Sequence, residues 1–225
     1  MRILGVIPAR GGSKGIRKKN LKLLCGQPLI YYTIKASSNS NLDRVIVSTD
    51  SEELIKISNS LGAEVLKRPS ELAKDDSTTL AVLEHVLQSI NESYDAIMVL
   101  QPTSPLRRKE HINESIEIFK NDNEADSLVS VVKVPHNFYP YKQMSLDNGY
   151  LFGGKNIFRR QDLHENLYAR NGAAIYISRI NILNKSILGD KTLPYFMNKI
   201  DSIDIDDMED WFLVESILKS NLLID

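Results

Sequence analysis

The chain has 225 residues, of which 42% are hydrophobic and 25% charged, the proportions of one ordinary globular domain, so a stapled mini-scaffold and a globally disordered chain are both excluded. Twenty-eight basic residues against 29 acidic ones leave a net charge of −1, which provides no basic field for long nucleic acid. The single cysteine, Cys25, can form no intrachain disulfide, and no apolar run approaches the roughly 20 residues of a membrane span, so a cytoplasmic protein without a membrane partner is expected.

Ile3-Leu4-Gly5-Val6-Ile7 is a short run without polar alternation, the pattern of a strand buried on both faces of a parallel sheet. Directly after it comes Pro8-Ala9-Arg10-Gly11-Gly12-Ser13-Lys14-Gly15-Ile16-Arg17-Lys18-Lys19-Asn20. Gly11 and Gly12 let the backbone approach a ligand closely, and successive N–H groups in such a turn make an anion nest. Arg10, Lys14, Arg17, Lys18 and Lys19 concentrate positive charge in a nearly neutral chain, which points to a polyphosphate rather than a merely solvated basic loop. Its place at the carboxyl end of a strand, where open α/β sheets bind ligands, supports that reading. The spacing fits neither G-x-x-x-x-G-K-[ST] nor G-x-G-x-x-G, so neither a standard P-loop enzyme nor a dinucleotide dehydrogenase is supported.

Val45-Ile46-Val47 and Ala96 to Leu100 read as further buried strands. Between them, Ser51 to Leu61 reads as a helix, and Leu80, Leu83, Val86, Leu87 and Ile90 recur at helical spacing behind a Thr/Ser-rich start. This alternation predicts an open, mostly parallel, Rossmann-like α/β sheet with helices on both faces, in a single domain over residues 1–225. From about Pro135 to Arg170 the crossover pattern gives way to aromatics (Phe138, Tyr139, Tyr141), an Asp147-Asn148-Gly149 turn and Phe152-Gly153-Gly154, which predicts an inserted arm over 135–170. Asp204 and Asp206 stand two apart in what reads as a strand, so both carboxylates are expected on one face. Such a pair, together with substrate phosphates, suits Mg²⁺; helix capping is the alternative, and Asp207 fits that role better at the head of a closing helix that runs through Phe212, Val214 and Leu218. His85, His111, His136 and His164 form no close pair, no G-x-S-x-G elbow exists and Cys25 has no nearby histidine, so zinc and covalent catalysis both lack candidates.

The IPARGGSKGIRKKN loop resembles the signature of the acylneuraminate cytidylyltransferases, the CMP-sialic and CMP-nonulosonic acid synthetases. Four further segments agree in order: Arg68-Pro69-Ser70-Glu71-Leu72-Ala73 with Thr78-Thr79, Gln101 to Arg107, Asn171-Gly172-Ala173-Ala174-Ile175-Tyr176, and Asp204-Ile205-Asp206. The resemblance implies transfer of CMP from CTP to the anomeric hydroxyl of a nine-carbon 2-keto sugar acid, with release of pyrophosphate and Mg²⁺ (or Mn²⁺) as cofactor. It implies that Arg10, Gly11, Gly12, Ser13, Lys14, Lys19 and Asn20 bind the triphosphate, Arg10 and Lys19 as catalytic cations, and that Arg68, Thr79 and Gln101 line the cytosine and ribose site. On the acceptor side it implies Gln101, Lys142, Arg160, Asn171 and Tyr176, with Lys142 and Arg160 at the carboxylate, and on the metal Asp204 and Asp206. It also implies a homodimer built through the arm.

Phe138-Tyr139-Pro140-Tyr141 stands where sialic-acid enzymes show a His-rich stretch, and an apolar wall favours a legionaminic- or pseudaminic-type acceptor over N-acetylneuraminate. An eight-carbon octulosonate acceptor is disfavoured by the first loop. Two alternatives stay open: a non-catalytic nucleotide-binding module, and a nucleotidyltransferase for another sugar acid or sugar phosphate.

Overall fold

The computed structural model describes residues 1–154 and 166–220. Its strands are β1 (Ile3–Pro8), β2 (Leu23–Leu24), β3 (Gln27–Pro28), β4 (Arg44–Thr49), β5 (Glu64–Lys67), β6 (Ala96–Val99), β7 (Ser127–Lys133), β8 (Met144–Asp147), β9 (Tyr150–Gly153), β10 (Tyr168–Arg170), β11 (Tyr176–Arg179) and β12 (Thr192–Phe196). The helices are α1 (Leu29–Ser38), α2 (Glu52–Ser60), α3 (Thr79–Ser89), α4 (Lys109–Asn121) and α5 (Met208–Ser220).

The main sheet runs β5-β4-β1-β6-β11-β7, with β10 and β12 also paired to β7. β5, β4, β1 and β6 are mutually parallel, as the two-sided apolar runs of β4, β1 and β6 predict; β5, exposed at Glu64 and Lys67, carries no such run. β11 runs antiparallel between β6 and β7. β10 and β11 follow one another along β7: Arg170 pairs with Val131 and Tyr176 with Val129, so residues 171–175 bulge out of the ladder. That bulge carries the Asn-Gly-Ala-Ala segment.

β1 shows why helices cover both faces. Ile3 and Ile7 pack with Ile30 and Ile34 of α1, Leu54 of α2 and Ile112 and Ile116 of α4, whereas Leu4 and Val6 pack with Leu83 and Val86 of α3. A third cluster lies at the end of the molecule that bears the basic loop. There Trp211, Val214 and Ile217 of α5 pack against Ile16, Leu24, Leu29, Leu106 and Ile205, which binds the loop and the Asp204–Asp206 segment to one apolar base. Ser51 and Thr78 cap α2 and α3 through their hydroxyls, at 3.4 Å to Leu54 N and 3.2 Å to Ala81 N. Asp207 caps α5, accepting from the N–H groups of Glu209 at 2.8 Å and Asp210 at 3.0 Å. Phe212 points outward, and Trp211 takes the buried position.

One expectation needs correction. Residues 203–206 form no strand; the Ile205 N–H goes instead to the carbonyl of Thr103, at 2.8 Å, in an irregular segment. The polar–apolar–polar alternation imitated a strand because Ile205, with Ile203 partly buried beside it, turns into the α5 cluster while Asp204 and Asp206 face the cleft. The sheet is mostly parallel, as expected, and its antiparallel pairs come from β10 and β11, short strands whose partners lie far away in the chain. In the expected arm, β8 and β9 form the predicted hairpin, with Asn148 (φ 48°) and Gly149 (φ 84°) at its turn. Residues 155–165, and Arg160 with them, lie outside the described residues.

Candidate active site

The carboxyl end of β1 opens into a cleft with two halves that share Pro8, Arg10 and Gln101. The first half, about 320 Å³, is bordered by Gly12, Ser13, Lys14, Gly15, Lys19 and Asn20 of the basic loop, by Pro102 and Thr103, and by Asp204 and Asp206. The second, about 250 Å³, is bordered by Arg68, Leu72, Lys74, Asp75, Ser77, Thr78, Thr79 and Val82.

The loop is held rather than loose. Gly11 N–H donates to Asp50 at 3.0 Å, and Asn20, itself buried, donates its side-chain amide to the carbonyl of Arg10 at 3.0 Å. Gly15 lies so close to the backbone of Asp206 that a Cβ there would fall 2.4 Å from its carbonyl oxygen. Glycine is therefore required where the loop crosses the acidic segment. Arg10 and Lys14 both reach Asp75, at 2.6 and 3.3 Å. Lys19 is mostly buried; it donates to the Ile205 carbonyl at 2.6 Å and stands 4.0 Å from the Asp206 carboxylate.

Asp204 is fixed from two sides. Ser104 Oγ donates to its Oδ1 at 3.1 Å, and opposite stands Gly172, at φ 65°, where a Cβ would lie 2.7 Å from the Asp204 carboxyl carbon. Burial raises the Asp204 carboxyl above the ordinary carboxylate range, and the neighbouring Asp206 charge adds to that. Asp206 itself is exposed. The irregular segment thus brings both carboxylates to one half-cleft without a strand.

In the other half Arg68 is 5% exposed, not a surface residue before Pro69, and its Nε is buried without a hydrogen-bond partner among the described residues. Asp50 stands 4.0 Å from its guanidinium, and burial lowers its pKa. Gln101 sits at the junction, its N–H donating to Ala173 O at 3.0 Å. Beneath it Arg107 is fully buried, donating to the carbonyls of Gln101 and Ala174 at 3.2 and 2.7 Å and to the Thr33 hydroxyl at 2.6 Å. With only neutral acceptors in direct contact, burial pulls this guanidinium down to about 9, against the pull of Asp204.

Of the residues expected on the acceptor side, Gln101 borders both half-clefts. Asn171 is buried, donating to Ser202 Oγ at 3.0 Å, and Tyr176 is half-buried in β11; neither borders the cleft. Lys142 is exposed on the arm, away from both halves. A separate cavity of about 710 Å³ opens where the arm leaves β7, bordered by Lys133, His136, Asn137, Tyr139, Asn198 and Lys199. Of the expected aromatic wall, Tyr139 is buried beside that cavity and Phe138 is 61% exposed. Sequence reading missed Asp75, Arg107 and the pinning of Asp204. The signals were present in Gly172 and in the Thr103-Ser104 and Arg107 positions of quoted segments, but a charge that will be buried looks in sequence like any loop charge.

Comparison with known proteins adds independent findings. A family model described as cytidylyltransferase matches residues 4–190. An N-acylneuraminate cytidylyltransferase of Escherichia coli O18:K1:H7 is 36% identical over 225 residues, covering 96% of this chain and 52% of that protein. The chain thus spans about half the length of that relative. A CMP-N,N′-diacetyllegionaminic acid synthase of Legionella pneumophila is 37% identical and is covered 98% on both sides. Among solved structures, a CMP:2-keto-3-deoxy-manno-octonic acid synthetase complexed with CTP superposes with a TM-score of 0.77 at 16% identity, over 98% of this chain and 100% of that one.

Proposed function

The chain belongs to the cytidylyltransferase family, and from that premise we propose that it transfers CMP from CTP to the anomeric hydroxyl of a sialic-type nonulosonic acid. The observation that carries the reading is the two-part cleft. One half gathers Arg10, Lys14 and Lys19 as for a triphosphate; the other presents the buried, unpartnered Nε of Arg68 beside Thr79 and Gln101, as for a pyrimidine nucleoside. Gly11, Gly12, Ser13 and Asn20 complete the phosphate side.

In the reaction the acceptor hydroxyl oxygen bonds to the α-phosphorus, the bond from that phosphorus to the β-bridging oxygen breaks, and pyrophosphate leaves with the electron pair while the hydroxyl loses its proton. Arg10 and Lys19 act on the charge that spreads over the phosphoryl oxygens and the leaving group. Preorganisation favours Lys19 for this role, since the Ile205 carbonyl already holds its ammonium at the cleft. Gln101, at the junction of the two halves, is placed to orient the acceptor near the α-phosphate.

The residues present fit a hard divalent cation. Asp204 is an acid whose charged form is disfavoured by burial and by a second carboxylate, which is the electrostatic state a cation relieves. Among the described residues no cluster of three or more metal-ligating side chains occurs, so Asp204 and Asp206 would share Mg²⁺ or Mn²⁺ with substrate phosphates. When bound, such an ion would neutralise charge on the phosphoryl oxygens.

The arm fits a second copy of the chain. Leu146, Tyr150, Leu151 and Phe152 of the β8–β9 hairpin are each more than half exposed, an apolar surface that a homodimer would cover. In that arrangement Lys142 and Arg160 serve the acceptor carboxylate of the neighbouring cleft. The relative named for a diacetyllegionaminic product supports an acylamino-bearing acceptor. Among the described residues no helix is long and apolar enough to cross a membrane, and the proposed site of action is the cytoplasm.

Pyrophosphate release from CTP, UTP, dTTP and GTP, each with N,N′-diacetyllegionaminate, pseudaminate, N-acetylneuraminate and an eight-carbon 2-keto acid, tests this reading. Release with CTP and a nine-carbon acid is expected, greatest with the legionaminic or pseudaminic type. CTP binding with no release for any acid would favour a non-catalytic module, and release confined to the eight-carbon acid would overturn the acceptor assignment.

A further inference from the structure

The segment from Asn198 to Asp206 contains neither an α-helix nor a strand, yet it delivers Asp204, Asp206 and the carbonyl that receives Lys19 to the cleft. Its anchor lies outside the cleft. Asp201, three residues before Asp204, is 3% exposed. Its Oδ2 accepts from the Asn198 amide at 2.6 Å and faces His111 Nε2 at 3.3 Å and the Arg108 guanidinium at 3.5 Å, while its N–H donates to Asn198 Oδ1 at 2.8 Å. His111 is itself buried and oriented: the Arg108 N–H donates to its Nδ1 at 3.2 Å, and its Nε2, 3.3 Å from the Arg108 guanidinium, faces Asp201. The next residue, Ser202, accepts from Asn171, whose neighbour Gly172 abuts Asp204.

We propose that Asp201, held by His111 and Arg108 at the N-terminus of α4, is a positioning site for the reaction, fixing Asp204 against Gly172 and Lys19 against the Ile205 carbonyl. The inference rests on the reading of Asp204 as a cation ligand and Lys19 as a phosphate contact. A buried charged cluster is a poor way to stabilise a fold, because apolar side chains of similar volume hold two elements together as well. What it adds is direction: hydrogen bonds of fixed geometry set where an irregular loop lies, as partners behind the ligands of metal sites do. His111 and Arg108 are suited to this because they stand on the first turn and N-cap of a helix packed into the main core.

The test uses Mn²⁺ as the probe, its free-ion electron paramagnetic resonance signal titrated against the full chain with CTP present, alongside steady-state kinetics. Asp201→Asn and His111→Gln are each expected to weaken Mn²⁺ binding about tenfold and to lower kcat about tenfold, with KM for CTP within about twofold. The double variant should be no worse than the stronger single one, because both break the same contact. Ile116→Val, on the core side of α4, serves as a stability control that lowers Tm without moving Mn²⁺ affinity. If the two variants behave like that control, the cluster is merely structural and the proposal is overturned. Should Asp201→Asn fail to fold, His111→Gln carries the same readout. Asp204→Asn separates the two levels: if it weakens Mn²⁺ binding while the Asp201 and His111 variants do not, the anchor alone fails, and if it too leaves Mn²⁺ affinity unchanged, the cation reading and the anchor fail together.

Discussion

Substituting Gly172→Ala puts a methyl group 2.7 Å from the Asp204 carboxyl carbon and from Oδ2, inside the 3.0 Å that real Cβ contacts respect. Asp204 cannot simply retreat, because the Ser104 hydroxyl holds its other oxygen. Two costs therefore combine. The left-handed backbone at φ 65° costs a residue with a Cβ about 1–2 kcal/mol, and the clash displaces the carboxylate by several tenths of an ångström. Gly62→Ala isolates the first cost, since Gly62 has φ 78° but open space where its Cβ would lie. At about 2–4 °C per kcal/mol for a chain of this size, Gly62→Ala should lower Tm by roughly 2–8 °C and leave turnover unchanged. Gly172→Ala should lower Tm at least as much and reduce kcat about 100-fold, the order of loss that follows a small misplacement of a group in the reacting constellation. Differential scanning fluorimetry and a pyrophosphate-release assay read the two quantities. Equal kcat values for the two variants would refute the argument that Asp204 must stand where Gly172 leaves room for it.

Three further outcomes follow from the same geometry. Lys19→Ala and Arg10→Ala should each reduce kcat/KM about 100-fold or more with little change in Tm, because one preorganised donor at a charge-developing site is worth roughly 2.7–4 kcal/mol; near wild-type turnover would remove the basic loop from the phosphate site. Asp206→Asn should abolish most activity and weaken the response to Mg²⁺, whereas Asp207→Asn should spare both, since asparagine caps α5 about as well; equal damage would assign both acids to stability. In chelator at pH 7, Asp204→Asn should raise Tm. The folded-state pKa of Asp204 lies above its unfolded value, so its ionised form costs stability above the folded pKa, and that cost vanishes below the unfolded value of about 3.9, where the two proteins should converge. A lower Tm for the variant at pH 7 would contradict the electrostatics of the site.

The legible parts of the structure were those in which local pattern and tertiary role coincide. β1, β4 and β6 are apolar on both faces because helices cover both faces, so their runs are readable without knowing the helices. The basic loop was readable because its glycines and cations are adjacent in sequence and follow a strand. The hairpin at Asn148-Gly149 was readable because its turn needs two positive φ values. Elsewhere the determinants are non-local. The four residues of β11 carry little pattern and owe their place to β6 and β7, which lie on either side of it. Asp204, Ile205 and Asp206 alternate as a strand would, but Thr103 and Lys19, both distant in sequence, hold them together with the α5 cluster that follows. Arg107 and Asp201 resemble ordinary loop charges until the fold buries them and supplies carbonyl, hydroxyl, imidazole and amide partners.

The most direct test of the central claim follows the phosphorus itself. The purified chain is incubated with CTP labelled at the α-phosphate, Mg²⁺ and N,N′-diacetyllegionaminate, and the products are separated. The label is expected to move into a CMP-linked sugar acid in a one-to-one ratio with unlabelled pyrophosphate, and Lys19→Ala to slow this transfer about 100-fold. Label remaining in CTP while the nucleotide binds the cleft, for this acid and for pseudaminate and N-acetylneuraminate alike, would contradict that claim.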